Sequence, residues 1–124
     1  MSGAQPSRVT VIVVAFNHRP FLAGCIGALE RTAGPGVGSV PVRLILVDNA
    51  SSDGTAQFVR DELLSPDGQT TRGGLPATFI VSAENLGFSG GNNLALARAL
   101  ADGDEFAYLL NPDADTITVE REKV

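Results

Sequence analysis

The sequence contains few of the residues on which several common classes of protein depend. Its single cysteine, Cys25, excludes an internal disulfide framework and fits a reducing cytosol. Its single histidine, His18, excludes a histidine cluster that binds metal. No apolar run reaches the roughly 20 residues that a membrane-spanning helix needs. Residues 1–7 lack the hydrophobic region of a signal peptide and are predicted to be a flexible lead-in.

Basic residues are also scarce, with nine Lys and Arg against 14 Asp and Glu, which gives a formal net charge of −5. The basic residues are scattered along the chain, so we do not expect nucleic-acid binding. The same scarcity limits how a phosphate ligand could bind. Two like charges about 4 Å apart repel by roughly 4 kcal/mol at an effective dielectric constant of 20. An acidic site therefore accepts a diphosphate only with a divalent cation between them.

The residues that are present predict one globular α/β domain, since 44% of the 124 residues are apolar. Short apolar runs, which are typical of buried strands, alternate with segments of helical spacing. The predicted strands are 9–15, 42–47, 77–82 and 106–110. The predicted helices run from Pro20 to about Thr32, from a cap at Ser52 or Asp53 to about Leu64, and from 94 to 101.

Strands that alternate with helices indicate a parallel sheet with right-handed crossovers, and we predict the strand order 3-2-1-4. Open sheets of this kind bind ligands at the carboxyl ends of their strands, near the switch in strand order. Polar residues follow all four predicted strands. They are Asn17 and His18, Asp48, Glu84 and Asn85, and Asn111 and Asp113. We therefore expect a binding site at this edge of the sheet.

The last predicted strand is followed by Asn111-Pro112-Asp113-Ala114-Asp115. Pro112 has no N–H to donate, so the ladder should end there and leave a small set of oxygen ligands. Such ligands suit Mg²⁺ or Mn²⁺ held by one or two carboxylates and by substrate phosphates. On this segment alone, an Asp-rich turn without a metal is an equally good interpretation.

Four segments give the chain a family resemblance when they are taken together and in order. They are Val9-Thr-Val-Ile-Val-Val-Ala-Phe-Asn17, Leu46-Val-Asp-Asn-Ala-Ser-Ser-Asp-Gly-Thr55, Glu84-Asn-Leu-Gly-Phe-Ser-Gly-Gly-Asn-Asn93 and Leu109-Leu-Asn-Pro-Asp113. Each one ends a predicted strand or follows it. The chain resembles the nucleotide-sugar-binding half of a family 2 glycosyltransferase with the GT-A fold, and most of all the rhamnosyltransferase-like branch of that family.

The resemblance implies that Ala15, Phe16 and Asn17 line the pocket for the nucleotide base. It also implies that Asp48 accepts a hydrogen bond from the N3–H of uracil or thymine, for which a carboxylate is a strong acceptor. The alternative for Asp48 is a turn or a helix cap. Ser52 and Asp53 already offer a cap, which favours the binding role.

The resemblance further implies that Asn85, Gly87 and Gly91 let the backbone approach the nucleotide or the diphosphate. Glycine suits such a role because it has no Cβ. The alternative for these three residues is that they only shape the entry to a helix.

Asn111 and Asp113 stand where the family has its D-x-D motif, so the resemblance implies Asp113 as a ligand of Mg²⁺ or Mn²⁺. We expect Asp115 either to support this ligand without contacting the metal or to serve as an alternative ligand. His18 lies at the same edge, where we interpret it as a solvated loop residue.

The implied reaction is glycosyl transfer with inversion from a UDP- or dTDP-sugar to a hydroxyl of a glycan or lipid-linked acceptor. In the family, the catalytic base and the acceptor groups come from a later segment. We therefore assign the base to none of Asp104, Glu105 and Glu120. On this interpretation residues 8–115 are the donor-binding half-domain and residues 116–124 begin an element that is left incomplete.

The resemblance also implies cell-envelope polysaccharide synthesis in the cytoplasm, with the full-length protein peripheral at the inner face of the membrane. We expect apolar surface exposed by an incomplete sheet to favour a homodimer. A different class stays open, in which the chain is a non-catalytic nucleotide-binding or interaction module with a degenerate GT-A fold. A flavodoxin-like receiver is disfavoured because the only lysine, Lys123, lies in the tail.

Overall fold

A computed structural model of the chain describes residues 8–33, 41–104, 106–113 and 119–123. Five strands form one sheet: β1 (Val9–Ala15), β2 (Val42–Asp48), β3 (Ala77–Val81), β4 (Phe106–Leu110) and β5 (Val119–Lys123). The helices are α1 (Arg19–Ala33), α2 (Thr55–Phe58), which continues into a π-helical turn (Val59–Leu63), and α3 (Gly87–Ala101).

The strands lie in the order β3-β2-β1-β4-β5, and the first four of them are parallel. The predicted order 3-2-1-4 is therefore confirmed. The fifth strand was not predicted, because its mixed and charged sequence lacks the pattern of a buried strand. It pairs antiparallel with β4 and covers the edge of β4 that we expected to be open. Homodimerisation stays a prediction.

The two central strands are buried on both faces, which explains why they read as continuous apolar runs. Alternate residues of β1 and β2, such as Val13 and Leu46, pack against the apolar face of α1. The residues between them, such as Ile12, pack against Ala95 and Ala99 of α3. The small side chains of α3 let this helix lie close to the sheet.

Cys25 is partly buried and packs against the α1 side of the core. Burial raises the pKa of its thiol to about 11, so the thiolate form is scarce at neutral pH. The cysteine therefore serves packing, as its position on the apolar face of the helix predicted.

The carboxylate of Asp53 supports the first turns of two helices. α1 begins at Arg19, whose backbone N–H donates to Asp53 Oδ2 at 3.1 Å. The other oxygen of Asp53 accepts from the backbone N–H of Thr55, also at 3.1 Å, and so supports the first turn of α2, although the residue at the cap position itself is Gly54. Asn17, just before α1, does not cap this helix with its side-chain oxygen, because that oxygen accepts from the Ser52 N–H at 2.8 Å.

The third helix begins at Gly87, earlier than the predicted Leu94. Glycine and asparagine are poor helix formers, so sequence patterns place the start at the alanine- and leucine-rich run. In the structure the Gly87 N–H donates to Asn85 Oδ1 at 2.8 Å, which supports the first turn.

An ion-pair network joins the strands at the amino edge of the sheet. Asp104 lies at its centre and accepts from Arg43 Nη2 at 2.7 Å, Thr10 Oγ at 2.6 Å and Arg8 Nε at 2.9 Å. Arg43 also bonds Asp102, through Nη1 and Oδ2 at 2.7 Å. Burial by itself raises the pKa of Asp104, but these hydrogen bonds outweigh it and hold the pKa below its usual value. Asp104 is thus far from the polar edge where a catalytic base would act.

We predict that Arg43→Met destabilises the fold by about 3–5 kcal/mol, because it leaves the buried Asp104 carboxylate without its main cation. Arg98→Met is the matched control, since Arg98 pairs with Asp102 at the surface and such pairs contribute about 1 kcal/mol or less. Urea denaturation of both variants gives the comparison. Equal losses in the two variants would contradict a special role for the buried pair.

We also predict that the free energy of unfolding falls as the pH drops below about 4. The pKa of Asp104 is lower in the folded chain than in the unfolded chain, so its stabilisation is complete above the unfolded pKa. That stabilisation is lost as the pH falls through the folded pKa. Urea titrations across the acidic range should therefore show a smaller pH dependence for Asp104→Asn than for the natural sequence.

Candidate functional site at the carboxyl ends of the strands

The three strands β1, β2 and β3 end level with one another. Ala15 pairs with Asp48 across the first two strands, and Asp48 pairs with Val81 across the next two. Backbone hydrogen bonds extend this alignment beyond the strands, from the Asn49 N–H to the Ala15 carbonyl at 2.8 Å and from the Ser82 N–H to the Asp48 carbonyl at 2.9 Å. The exit loops therefore start from a common edge, which we call the rim.

Asn17 joins the exit loop of β1 to that of β2. It adopts a left-handed backbone conformation with φ of 57°, which asparagine tolerates better than most residues. Its N–H donates to Ser51 Oγ at 2.9 Å, and its side-chain oxygen accepts from Ser52. The side-chain NH₂ group donates to none of the residues that the structure describes.

Asp48 ends β2 as a buried residue that is only 2% exposed. Its Oδ1 accepts from the Ser51 N–H at 3.0 Å and so holds the following turn. Its Oδ2 accepts no hydrogen bond from the residues that the structure describes. A buried acceptor without a partner costs free energy, so this oxygen is a candidate for contact with a ligand.

Asn49 is a buried residue of the rim whose role sequence reasoning missed. Its Nδ2 donates to the Gly87 carbonyl at 2.9 Å, and its Oδ1 accepts from the Leu86 N–H at 3.0 Å. Both polar groups of the amide are used, so Asn49 holds the segment that enters α3 against β2. A polar residue directly after a strand buried on both faces was the available signal.

Asn85, Gly87 and Gly91 occupy different positions relative to the rim. Gly87 has φ of +73° and open space where a Cβ would lie, so its backbone conformation is what favours glycine there. Gly91 is buried, and a Cβ added to it would lie 2.7 Å from Val14 Cγ1. Gly91 therefore lets α3 pack closely on β1, beneath the rim. The approach of a nucleotide to these three residues stays a prediction.

A cleft of about 240 Å³ opens between the exit loops. Phe16 and Phe88 form part of its wall and remain exposed to 40% and 69%, which is unusual for phenylalanine. Exposed aromatic rings such as these suit stacking with a planar ring of a ligand. The complete lining is Val14, Phe16, His18, Asn49, Asn85, Gly87 and Phe88.

Next to this cleft, β4 delivers the residues that were predicted to bind metal. The Asp113 N–H donates to Asn111 Oδ1 at 3.2 Å, which forms the turn around Pro112. The Asp113 side chain is 43% exposed, and its Oδ2 lies 3.6 Å from His18 Nε2. The second predicted ligand, Asp115, lies outside the described residues.

These residues fit a metal held largely by its ligand. In the described part of the chain, no group of three His, Cys, Asp or Glu side chains is placed to hold an ion by itself. The exposed carboxylate of Asp113 does match the way Mg²⁺ is usually bound, through one or two carboxylates together with substrate phosphates. The donor set therefore suits a metal that arrives with a diphosphate.

A second cavity, of about 340 Å³, lies beside β3 and away from the ends of the central strands. Arg60 forms part of its wall, with its guanidinium carbon 5.6 Å from the centre of the Phe79 ring. Ligands of parallel sheets bind at the carboxyl ends near the switch in strand order, which here lies between β1 and β4. The cleft beside Asp113 is therefore the better candidate site.

We predict that Gly91→Ala lowers the free energy of unfolding by about 1–3 kcal/mol, because the new Cβ overlaps Val14 in a packed core. Gly24→Ala is the control, since a Cβ at that position of α1 meets nothing within 4 Å. The control should be neutral or stabilise the chain by up to about 1 kcal/mol, as alanine favours a helix. Thermal unfolding of both variants measures the difference, and a neutral Gly91→Ala would contradict the packing role.

Comparison with known proteins agrees with the fold. A mannosyltransferase from Pyrobaculum calidifontis, solved with GDP-Man and Mn²⁺, superposes with a TM-score of 0.65 at 29% identity. It is matched over 86% of this chain and 28% of its own. Residues 1–349 of S. aureus TarS superpose with TM-scores of 0.63 with UDP and 0.64 with UDP-GlcNAc, at 21% and 22% identity. Both cover 86% of this chain, and 27% and 26% of TarS respectively.

The chain thus spans about a quarter of the length of these solved structures. No protein of curated function matches it. Among the described residues, no helix has the length and apolar character that crossing a membrane would require.

The family itself is established by sequence. Residues 10–120 match the model of the family described as glycosyl transferase family 2. This range includes the four parallel strands, apart from Val9 at the start of β1, and the residues of the rim. The chain therefore belongs to glycosyl transferase family 2.

Proposed function

We propose that this chain forms the donor-binding part of a glycosyltransferase that uses a UDP- or dTDP-sugar together with Mg²⁺ or Mn²⁺. The observation that carries the proposal is the meeting of the cleft, Asp48 and Asp113 at one edge of the sheet. The mannosyltransferase with GDP-Man and Mn²⁺, at 29% identity, supports a nucleotide-sugar and a divalent metal. The rhamnosyltransferase-like branch and a role in the cell envelope stay predictions.

The polar groups of the rim favour a uracil or thymine base. One oxygen of Asp48 holds Ser51, which leaves the other as a single acceptor. Uracil and thymine present one imide N3–H, whereas guanine presents two adjacent N–H donors that match a carboxylate with both oxygens available. Since Asp48 is 2% exposed, the base reaches it only when neighbouring loop residues move aside.

Charge explains why the proposal includes a metal. Apart from His18, none of the residues that line the cleft is basic, and Asp113 adds a negative charge beside it. A diphosphate placed there without a cation would be repelled by several kcal/mol. A divalent cation bound by Asp113 and the phosphates removes this repulsion and supplies Lewis-acid stabilisation of the departing nucleotide.

The residues of this chain would bind and orient the donor. Phe16 and Phe88 hold the base between their exposed faces, Asp48 sets its orientation, and Asp113 places the diphosphate end. Held in this way, the anomeric carbon is open to an acceptor hydroxyl on the face opposite the nucleotide, which inverts its configuration. We assign no general base, because Asp48 is buried, Asp113 belongs to the metal and Asp104 lies at the amino edge.

We predict that UDP or dTDP binds this chain in a manner that depends on Mn²⁺. Asp48→Asn should weaken nucleotide binding by about 10- to 100-fold, because it removes a hydrogen bond to a charged acceptor worth about 1.5–3 kcal/mol. Asp113→Asn should instead remove the dependence on Mn²⁺. Titration calorimetry with UDP, dTDP and GDP, each with and without Mn²⁺, measures both effects.

Glu62→Gln is the matched control, since it removes one exposed negative charge from the π-helical turn, away from the rim. Its binding should equal that of the natural sequence. Tight binding that ignores the metal and both aspartate substitutions would instead favour a non-catalytic nucleotide-binding module. Binding of GDP in preference to UDP and dTDP would contradict the assignment of the base.

A further inference from the structure

His18 lies between the cleft and Asp113, although its sequence position suggested only a solvated loop residue. Its Nδ1 accepts from the Phe16 N–H at 2.9 Å, and its ring meets the edge of the Phe21 ring, with 6.3 Å between the centres. Only 26% of the side chain is exposed. The hydrogen bond and the contact with Phe21 therefore hold the ring in one orientation.

The hydrogen bond at Nδ1 determines where the proton of the ring resides. A neutral imidazole that accepts at Nδ1 carries its proton on Nε2. In this chain Nε2 lies 3.6 Å from Asp113 Oδ2, just beyond hydrogen-bond distance, and it is the ring nitrogen nearer to the carboxylate. The same hydrogen bond disfavours His18 as a metal ligand through Nε2, because that nitrogen would need a free lone pair.

Among the described residues, His18 is the one whose side chain approaches the Asp113 carboxylate. The turn that begins at Asn111 restrains the backbone of Asp113, but the carboxylate is 43% exposed. An exposed carboxylate samples several rotamers, and ordering it costs side-chain entropy when a metal binds. A donor on one oxygen restricts the carboxylate and leaves the other oxygen for a cation.

We propose that His18 is a positioning residue for Asp113. When the cation that accompanies the nucleotide binds Oδ1, a small movement brings the Nε2–H within hydrogen-bond distance of Oδ2 and restrains the carboxylate. The inference rests on the proposed function, because it assumes that Asp113 binds the metal. Partners that orient a metal ligand typically change metal affinity by 10- to 100-fold when they are removed.

Two substitutions separate this role from simple support of the loop. His18→Asn keeps an acceptor near the position of Nδ1, for the Phe16 N–H, and removes the donor at Nε2. His18→Gln keeps an N–H near the position of Nε2 and removes the acceptor at Nδ1. A positioning role therefore predicts loss in the asparagine variant and rescue in the glutamine variant, whereas loop support predicts the reverse.

The measurement is the affinity for Mn²⁺ in the presence of UDP, from the electron paramagnetic resonance signal of free Mn²⁺. We expect His18→Asn to raise the dissociation constant about tenfold and His18→Gln to change it by less than about threefold. Glu62→Gln controls for net charge, and far-ultraviolet circular dichroism checks that each variant is folded.

Other outcomes would overturn the inference. These are rescue by asparagine instead of glutamine, equal loss in both variants, and no loss in either. A ¹⁴N coupling that shows His18 bound directly to Mn²⁺ would overturn it as well. Failure of the proposed function gives a different result, since the natural chain would then bind Mn²⁺ no better than Asp113→Asn.

Discussion

The register of the two central strands is the constraint on which the rest of the structure depends. Val9 to Ala15 pair one to one with Val42 to Asp48, and both strands are buried on both faces. A slip of one residue would exchange the side chains that face α1 with those that face α3. The same register brings Ala15, Asp48 and the loops beyond them level at the rim. Packing in the core therefore determines which polar residues meet at the surface.

The carboxylates at the two edges of the sheet differ in whether basic side chains compensate their charge. At the amino edge, Asp104 is surrounded by Arg43, Arg8 and Thr10, and the buried charges compensate one another. At the carboxyl edge, Asp48 and Asp113 have no arginine or lysine partner among the described residues. The first arrangement stabilises the fold. The arrangement at the carboxyl edge leaves negative charge that a bound cation or a ligand with donor groups can compensate.

The sheet and the position of the rim could be predicted from the sequence, because both follow from patterns in the chain. Short apolar runs bounded by polar residues identify parallel strands, and their alternation with helices fixes the topology within narrow limits. The strand β5 was not predicted, because an edge strand of charged residues lacks a pattern of apolar residues. The start of α3 was not predicted, because glycine and asparagine are poor helix formers. Long-range hydrogen bonds from Asn49 to Leu86 and Gly87 hold this start in place.

The roles of single polar residues at the rim were harder to predict, since each depends on partners that are distant in the sequence. Asp53 caps α1 from 34 positions away, and Asn17 bonds Ser52 across a comparable separation. In the sequence, Asn49 is not distinguished from the other polar residues of its motif. In the structure, both the NH₂ group and the oxygen of its amide hold the loop before α3. No local pattern distinguishes an amide that braces a loop from one that faces a ligand.

The structure makes this distinction through hydrogen-bond satisfaction. Asn49, Asp53 and the side-chain oxygen of Asn17 have partners within the chain, so they brace the rim before any ligand arrives. Among the described residues, the second oxygen of Asp48 accepts no hydrogen bond, and the exposed Asp113 carboxylate at the same edge is approached by His18 Nε2 at 3.6 Å. Unsatisfied groups carry a free-energy cost that a ligand can offset, whereas satisfied groups have nothing to gain from one. Among the described residues, Asp48 and Asp113 are therefore the rim carboxylates with capacity left for a further hydrogen bond or a cation.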